Sequence, residues 1–179
     1  MRRAVFLDRD GVINRAEMRN GKPHPPMSLS ALEILPGVPK ALRVLREAGW
    51  LLIVITNQPD VARGITPLAI VESIHKNLLT KLPLDEIRTC YHDDNDRCDC
   101  RKPLPGALLS AATHHRIDLC ASFMVGDRWR DIEAGESAGC KTIFIDYGYN
   151  ERRPTRFGYR VQNLTEAAEI ILGSDDEED

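Results

Sequence analysis

Short apolar runs rich in β-branched and aromatic residues alternate along this chain with longer segments whose apolar residues recur at helical spacing. The runs cover residues 4–7, 51–55, 87–91, 122–125 and 142–145, and the helical spacing covers 38–48, 67–82, 105–115 and 132–138. Val38, Leu42 and Leu45 share one face, and Gly49 stands where that helix should stop. Alternation at this interval predicts an α/β fold, a mainly parallel sheet with helices on both faces. The run Leu51-Leu52-Ile53-Val54-Ile55 lacks polar alternation, as expected of a strand buried on both sides.

Two segments break the rhythm. Residues 15–30 are polar and carry Pro23, Pro25 and Pro26, which reads as an irregular, mobile loop after the first strand. Residues 149–158 hold three arginines and Pro154 without a clear period, a second irregular loop. A short strand at 159–161 and a last helix at 164–172 complete one expected domain, residues 1–173. The acidic tail 174–179 reads as a disordered end.

Composition narrows the class. The 179 residues are 42% hydrophobic and 28% charged with a net charge of −3, ordinary for a globular domain and unsuited to coating nucleic acid. No apolar run approaches a membrane span, and the four apolar residues before Asp8 are too short for a signal peptide. A cytoplasmic monomer acting on a small molecule, with no nucleic-acid or membrane partner, is the expectation.

Open parallel sheets bind ligands beyond the carboxyl ends of their strands. Those positions hold Asp8-Arg9-Asp10-Gly11, Thr56-Asn57-Gln58, and Gly126-Asp127 with Asp131 four residues on; Lys102 precedes a helix. Taken singly, each is an ordinary turn or helix cap. Together they say more. Asp8 and Asp10, two apart at a strand end, emerge on one side, and Asp127 brings a third carboxylate to the same rim. Three crowded carboxylates repel unless a cation joins them, and oxygen ligands suit Mg²⁺. Lys102, Thr56 and Asn57 add donors for an anion, which a phosphate fits. Asp8 is placed to attack phosphorus, and Asp10 to protonate the leaving oxygen and then take a proton from water.

Five cysteines are too few for a disulfide scaffold. Cys90, His92, Cys98 and Cys100 fall within eleven positions, a donor set for a closed, structural Zn²⁺ site in the loop 90–100. A chance cluster of buried thiols is the plain alternative. The Asp93-Asp94-Asn95-Asp96 run reads as a solvated loop tip, while Cys120 and Cys140 read as small buried residues. The loop runs directly into Arg101-Lys102, so zinc would set where both cations point.

The segments Val5-Phe6-Leu7-Asp8-Arg9-Asp10-Gly11-Val12, Ile55-Thr56-Asn57-Gln58, Lys102-Pro103 and Gly126-Asp127-Arg128-Trp129-Arg130-Asp131 resemble the four motifs of the haloacid-dehalogenase (HAD) phosphatases. The resemblance covers roughly residues 4–146 and implies a Rossmann-like HAD fold. It implies Asp8 as nucleophile, Asp10 as general acid/base, and Thr56 and Lys102 as holders of the phosphoryl group. Mg²⁺ would lie on Asp8, the Asp10 carbonyl and Asp127, with Asp131 orienting that site or Lys102.

Within that superfamily, the Cys-x-His and Cys-x-Cys insertion before Arg101-Lys102-Pro103 is similar to the D-glycero-D-manno-heptose 1,7-bisphosphate phosphatases. These remove the C7 phosphate during assembly of the heptose of lipopolysaccharide and related glycoconjugates. The resemblance implies substrate contacts from Asn57 and Arg101, the latter on the distal phosphate or sugar, and backbone contact near Mg²⁺ from Arg128. Histidinol-phosphate phosphatases share the scaffold and a similar zinc loop, so they or another small-molecule phosphatase are the rival. A non-catalytic HAD-like binding module is the reading from another class, but it has no need of both aspartates. Two departures fall where specificity is set: Pro59-Asp60 replaces the usual Ser-Gly, and residues 15–22 lack the expected Gly-Tyr-type segment. His24 is a candidate substrate contact in its loop; His75, His114 and His115 read as core or surface positions. Trp50 reads as core, and Trp129 as packing or as a border of the site.

Overall fold

The computed structural model describes residues 1–174. Six strands form one parallel sheet in the order β5-β4-β1-β6-β7-β8. They are β1 (Ala4–Leu7), β4 (Leu51–Asn57), β5 (Glu86–Cys90), β6 (Phe123–Gly126), β7 (Lys141–Ile145) and β8 (Tyr159–Val161). Five helices connect or follow them: α1 (Val38–Glu47), α2 (Leu68–Lys81), α3 (Gly106–His115), α4 (Trp129–Ala138) and α5 (Leu164–Gly173). Central β1 aligns Leu7 with Val54 on one side and with Val125 on the other, so three strand ends finish at one rim.

Alternation along β1 divides the core. Val5 and Leu7 face a cluster with Leu42 and Leu45 of α1, Ile74 and Leu78 of α2, and Ala167 and Ile171 of α5. Ala4 and Phe6 face the other cluster, with Leu108 and Ala111 of α3 and Ala134 of α4. Each fully buried aliphatic or aromatic side chain contributes about 1.5–3 kcal/mol, so both sheet faces need their helices. Trp50 is buried and meets Phe123 edge-on, with ring centroids 5.7 Å apart.

Three local expectations change. Within 15–30, Glu17–Arg19 (β2) and Lys22–His24 (β3) pair antiparallel as a hairpin. Its two turn residues, Asn20 and Gly21, have φ of 52° and 73°, and Asn-Gly is the pair that adopts such a turn most readily. Helix α4 starts at Trp129, because the Arg128 N–H donates to Asp131 Oδ2 (3.0 Å) and caps the first turn. Cys120 is exposed, on the loop before β6, whereas Cys140 is buried. The acidic tail lies outside the described residues from 175 onward. Among the described residues, no helix is long and apolar enough to cross a membrane.

Candidate active site

The site forms where β1, β4 and β6 end. The Asp8 N–H donates to the Val125 carbonyl (3.0 Å), which pins the chain to β6 as it leaves the sheet. It then turns back, with the Gly11 N–H on the Asn14 carbonyl (2.7 Å). Gly11 has φ +91°, and a Cβ there would stand 2.0 Å from Asp127 Oδ2, so the turn and the third strand end touch only if residue 11 has no side chain.

Lys102 is buried beneath this turn. Its Nζ lies 2.8 Å from Asp8 Oδ1, 2.6 Å from Asp131 Oδ1 and 2.6 Å from the Ile55 carbonyl. Its backbone is clasped by the Asn57 amide, which donates to the Lys102 carbonyl (3.0 Å) and accepts from the Lys102 N–H (3.1 Å). Burial opposes the ammonium charge, but Asp131 and Asp8 outweigh it and hold the Lys102 pKa above its ordinary value. Burial and the Asp131 carboxylate push the Asp8 pKa up as well, to about 6, against the pull of Lys102.

The carboxylates that converge are Asp8, Asp127 and Asp131, with ligand atoms within 4.8 Å of one another. Spacing predicts the Asp10 side chain there as well. Instead it receives the guanidinium of Arg9 (3.0 Å to each oxygen), Asn14 Nδ2 (2.9 Å) and Gln58 Nε2 (2.8 Å). With Arg9 Nε also 3.1 Å from Oδ1, five amide and guanidinium contacts are better partners for a carboxylate than two like charges. Asp131 is already spent on Lys102 and the cap of α4. Asp127 is not. Its Oδ2 accepts from Tyr149 O–H (2.8 Å), while its buried Oδ1 has no partner, and burial with Asp8 and Asp131 raises its pKa well above the usual carboxylate range. An orphaned carboxylate oxygen beside a second carboxylate fits a hard divalent cation.

A cleft of about 260 Å³ opens over Asp8 and Lys102. Its walls include Asp10, Asn57, Asp60, Arg63, Arg101, Arg128 and Arg130, with His24 from the hairpin. Thr56 is buried beside it, and its Oγ1 accepts from Gln58 Nε2 (2.9 Å), leaving its own O–H to donate. At one edge, Cys90, His92, Cys98 and Cys100 cluster. The separations of Cys90 Sγ from Cys98 Sγ (3.9 Å), of His92 Nδ1 from Cys90 Sγ (3.5 Å) and of His92 Nδ1 from Cys100 Sγ (3.3 Å) match the edges of a zinc tetrahedron with bonds of about 2.0–2.3 Å.

Several participants carried no local signal. Tyr149 lies in a segment without period, Gln58 reaches Asp10 across 48 positions, and nothing in the local pattern marks adjacent Arg9 or nearby Asn14 as its partners. The Asp93–Asp94 tip, expected in open solvent, pairs with Arg63 and Arg101. His75 is a buried partner of Arg9 (2.9 Å), and Trp129 lies 4.3 Å from Arg152 and 4.9 Å from Arg130.

A HAD-hydrolase-like family model matches residues 99–167. A D-glycero-β-D-manno-heptose-1,7-bisphosphate 7-phosphatase of Pseudomonas putida is 37% identical over 153 residues, 83% of this chain and 85% of its own. The enzyme of the same name from Pasteurella multocida is 33% identical over 187 residues, 97% and 98% of the two chains. The chain belongs to this phosphatase family, within the HAD-like hydrolases. The solved D,D-heptose 1,7-bisphosphate phosphatase of B. bronchiseptica, complexed with magnesium and phosphate, superposes with a TM-score of 0.78 at 30% identity, covering 96% of this chain and 99% of that one. A HAD-like phosphatase structure from Mesorhizobium loti, with a TM-score of 0.74 at 24% identity over 95% and 87% of the chains, shares the fold. As a member of this phosphatase family, the chain is a phosphoric monoester hydrolase. The magnesium in the B. bronchiseptica enzyme agrees with the orphaned oxygen of Asp127.

Proposed function

We propose that this enzyme removes the C7 phosphate of D-glycero-β-D-manno-heptose 1,7-bisphosphate through an aspartyl-phosphate on Asp8. The observation that carries the reading is the Asp8–Lys102 contact of 2.8 Å on the floor of a cleft walled by arginines. The names of the relatives support the substrate.

Asp8 attacks phosphorus, and the bond to the sugar oxygen breaks as Asp10, which takes up a proton before this step, supplies that oxygen with it. Lys102 and the Thr56 hydroxyl hold the phosphoryl oxygens as charge shifts between them. Asp10, now a carboxylate, takes a proton from water, which attacks phosphorus and frees Asp8 and inorganic phosphate. Asp8, the Asp10 carbonyl and Asp127 would hold Mg²⁺, which when bound would supply positive charge to offset that of the carboxylates and the phosphoryl group. Asn57 positions Lys102 and borders the substrate, Arg101 takes the distal phosphate, and the Arg128 backbone borders the metal.

Cys90, His92, Cys98 and Cys100 would hold a structural Zn²⁺. Burial, with the neighbouring thiols adding to it, pushes the Cys90 thiol up to about 12, so a cation is what makes this donor set favourable as thiolates. Retained thiols suit a reducing, cytoplasmic setting.

Asp8→Asn should lower aryl-phosphate turnover by about 10³-fold or more, and Asp10→Asn should accumulate a phosphate adduct visible by mass spectrometry. Substantial turnover by Asp8→Asn would overturn the mechanism. A higher kcat/KM for histidinol phosphate than for the heptose bisphosphate would overturn the substrate.

A further inference from the structure

Asp94, at the tip of the zinc loop, lines the cleft. Its Oδ1 accepts from Arg101 Nε (3.0 Å) and Nη2 (2.8 Å), and its Oδ2 from Arg63 Nη2 (3.1 Å). Arg130 Nη1 stands 3.6 Å from the same Oδ1. One carboxylate therefore gathers three guanidiniums on the cleft wall.

Each arginine also has a hold that does not involve Asp94. Arg101 donates from Nη1 to the His92 carbonyl (3.2 Å), and its side chain is only 11% exposed. Arg63 donates from Nε to Asp93 (2.9 Å) and pairs with Asp60 (3.4 Å). Arg130 lies 4.9 Å from the Trp129 ring. Placing the guanidiniums thus does not depend on Asp94. Asp94 itself is 58% exposed, so it can turn to water without being stranded in a dry site. A phosphate brings nearly twice the charge of a carboxylate and three acceptor oxygens to the same donors.

We propose that Asp94 is a specificity-determining residue. In the free enzyme it occupies the arginine cluster, and it yields the cluster to the second phosphate of a bisphosphate. A distal phosphate must outcompete this built-in carboxylate, and a substrate with a hydroxyl in that place cannot. The inference rests on the assignment of Arg101 to a remote phosphate given above, and it adds Arg63 and Arg130 to the same task.

The test uses heptose 1-phosphate, which carries only the distal group, as a competitive inhibitor of aryl-phosphate hydrolysis. In Asp94→Asn and Asp94→Ala, the ratio of its Ki to the aryl-phosphate KM should fall about three- to tenfold, the range of a few exposed ion pairs. In the Asp94→Asn, Arg101→Ala double variant that gain should vanish. Zinc content equal to wild type shows the loop intact. A ratio that stays constant means Asp94 is only a solvated ion pair, and one that rises means it scaffolds the arginines; either overturns the inference. Wild-type turnover of the bisphosphate, read in the same series, separately decides the substrate assignment.

Discussion

Arg9 is fully buried one residue from Asp8, and its charge has to be met within the protein. Asp10 meets it with both carboxylate oxygens, and His75 Nε2, 2.9 Å from Nη1, supplies the remaining acceptor. That role requires a neutral ring with its proton on Nδ1. Burial and the Arg9 charge enforce neutrality by pushing the His75 pKa down to about 4, against a smaller pull from Asp10. A folded-state value below the unfolded value of about 6.5 means stability is in full force above pH 6.5 and is lost as pH falls toward 4. His75→Gln keeps an acceptor but cannot titrate. Its melting temperature should therefore fall less than that of wild type between pH 6.5 and 4, and parallel curves would show that His75 contributes nothing to the acid limb. The two aspartates of the first strand end were legible from spacing alone. The partner of the arginine between them was not, because His75 lies 66 positions from Arg9 and reads locally as one more helix residue.

At the scale of elements, the hairpin β2–β3 carries Lys22, Pro23, His24 and Pro25 to the cleft wall. Its register depends on the left-handed turn at Asn20-Gly21. A branched side chain at Gly21 meets two obstacles, the φ of +73° and Asn150 Cβ at 3.3 Å. Gly21→Val should cost about 1–2 kcal/mol of local stability. Because the hairpin lines the cleft and, among the described residues, makes no hydrogen bond to Asp8, Asp10, Thr56 or Lys102, the expected signature is a raised KM for the bisphosphate with kcat little changed. Steady-state kinetics settle it; an unaltered KM would remove the hairpin from substrate binding. The prolines concealed this element. Pro23 pairs opposite Met18 in a two-stranded ribbon, where a missing N–H is tolerated because every strand is an edge.

At the scale of the molecule, the two core clusters hold the sheet between its helices, and the zinc loop stands apart from them. The proposed zinc ligands contribute nothing to the larger cluster, and Cys100 only packs against the smaller one. Zinc-finger peptides gain roughly 10–16 kcal/mol on binding zinc, so the order of a short loop hangs on its metal. Elemental analysis should find one zinc per chain, and Cys98→Ala should lose it. Chelation followed by restoration of Mg²⁺ alone should leave activity about tenfold or more below its starting value by releasing Arg101 and Lys102, while the helical circular-dichroism signal persists. Loss of that signal would instead make zinc a requirement of the whole fold.

The alternation of apolar periods determined the parallel sheet and its covered faces, because period is a local property that burial on one or two sides imposes directly. Spacing likewise brought out the Cys90, His92, Cys98 and Cys100 cluster proposed to hold zinc, whose donors lie within eleven positions. Strand-end position marked Asp8, Asp10 and Asp127, since a parallel sheet brings those ends to one rim whatever the details of packing. Tertiary structure alone decided which partner each charge took: Asp10 went to Arg9, Asn14 and Gln58, Asp131 to Lys102, Tyr149 to Asp127, and Asp94 to three arginines. Long polar side chains have many acceptors within reach and gain similar energies from each. The choice among them follows from where a distant turn or helix end brings the competing groups, and no local pattern encodes that.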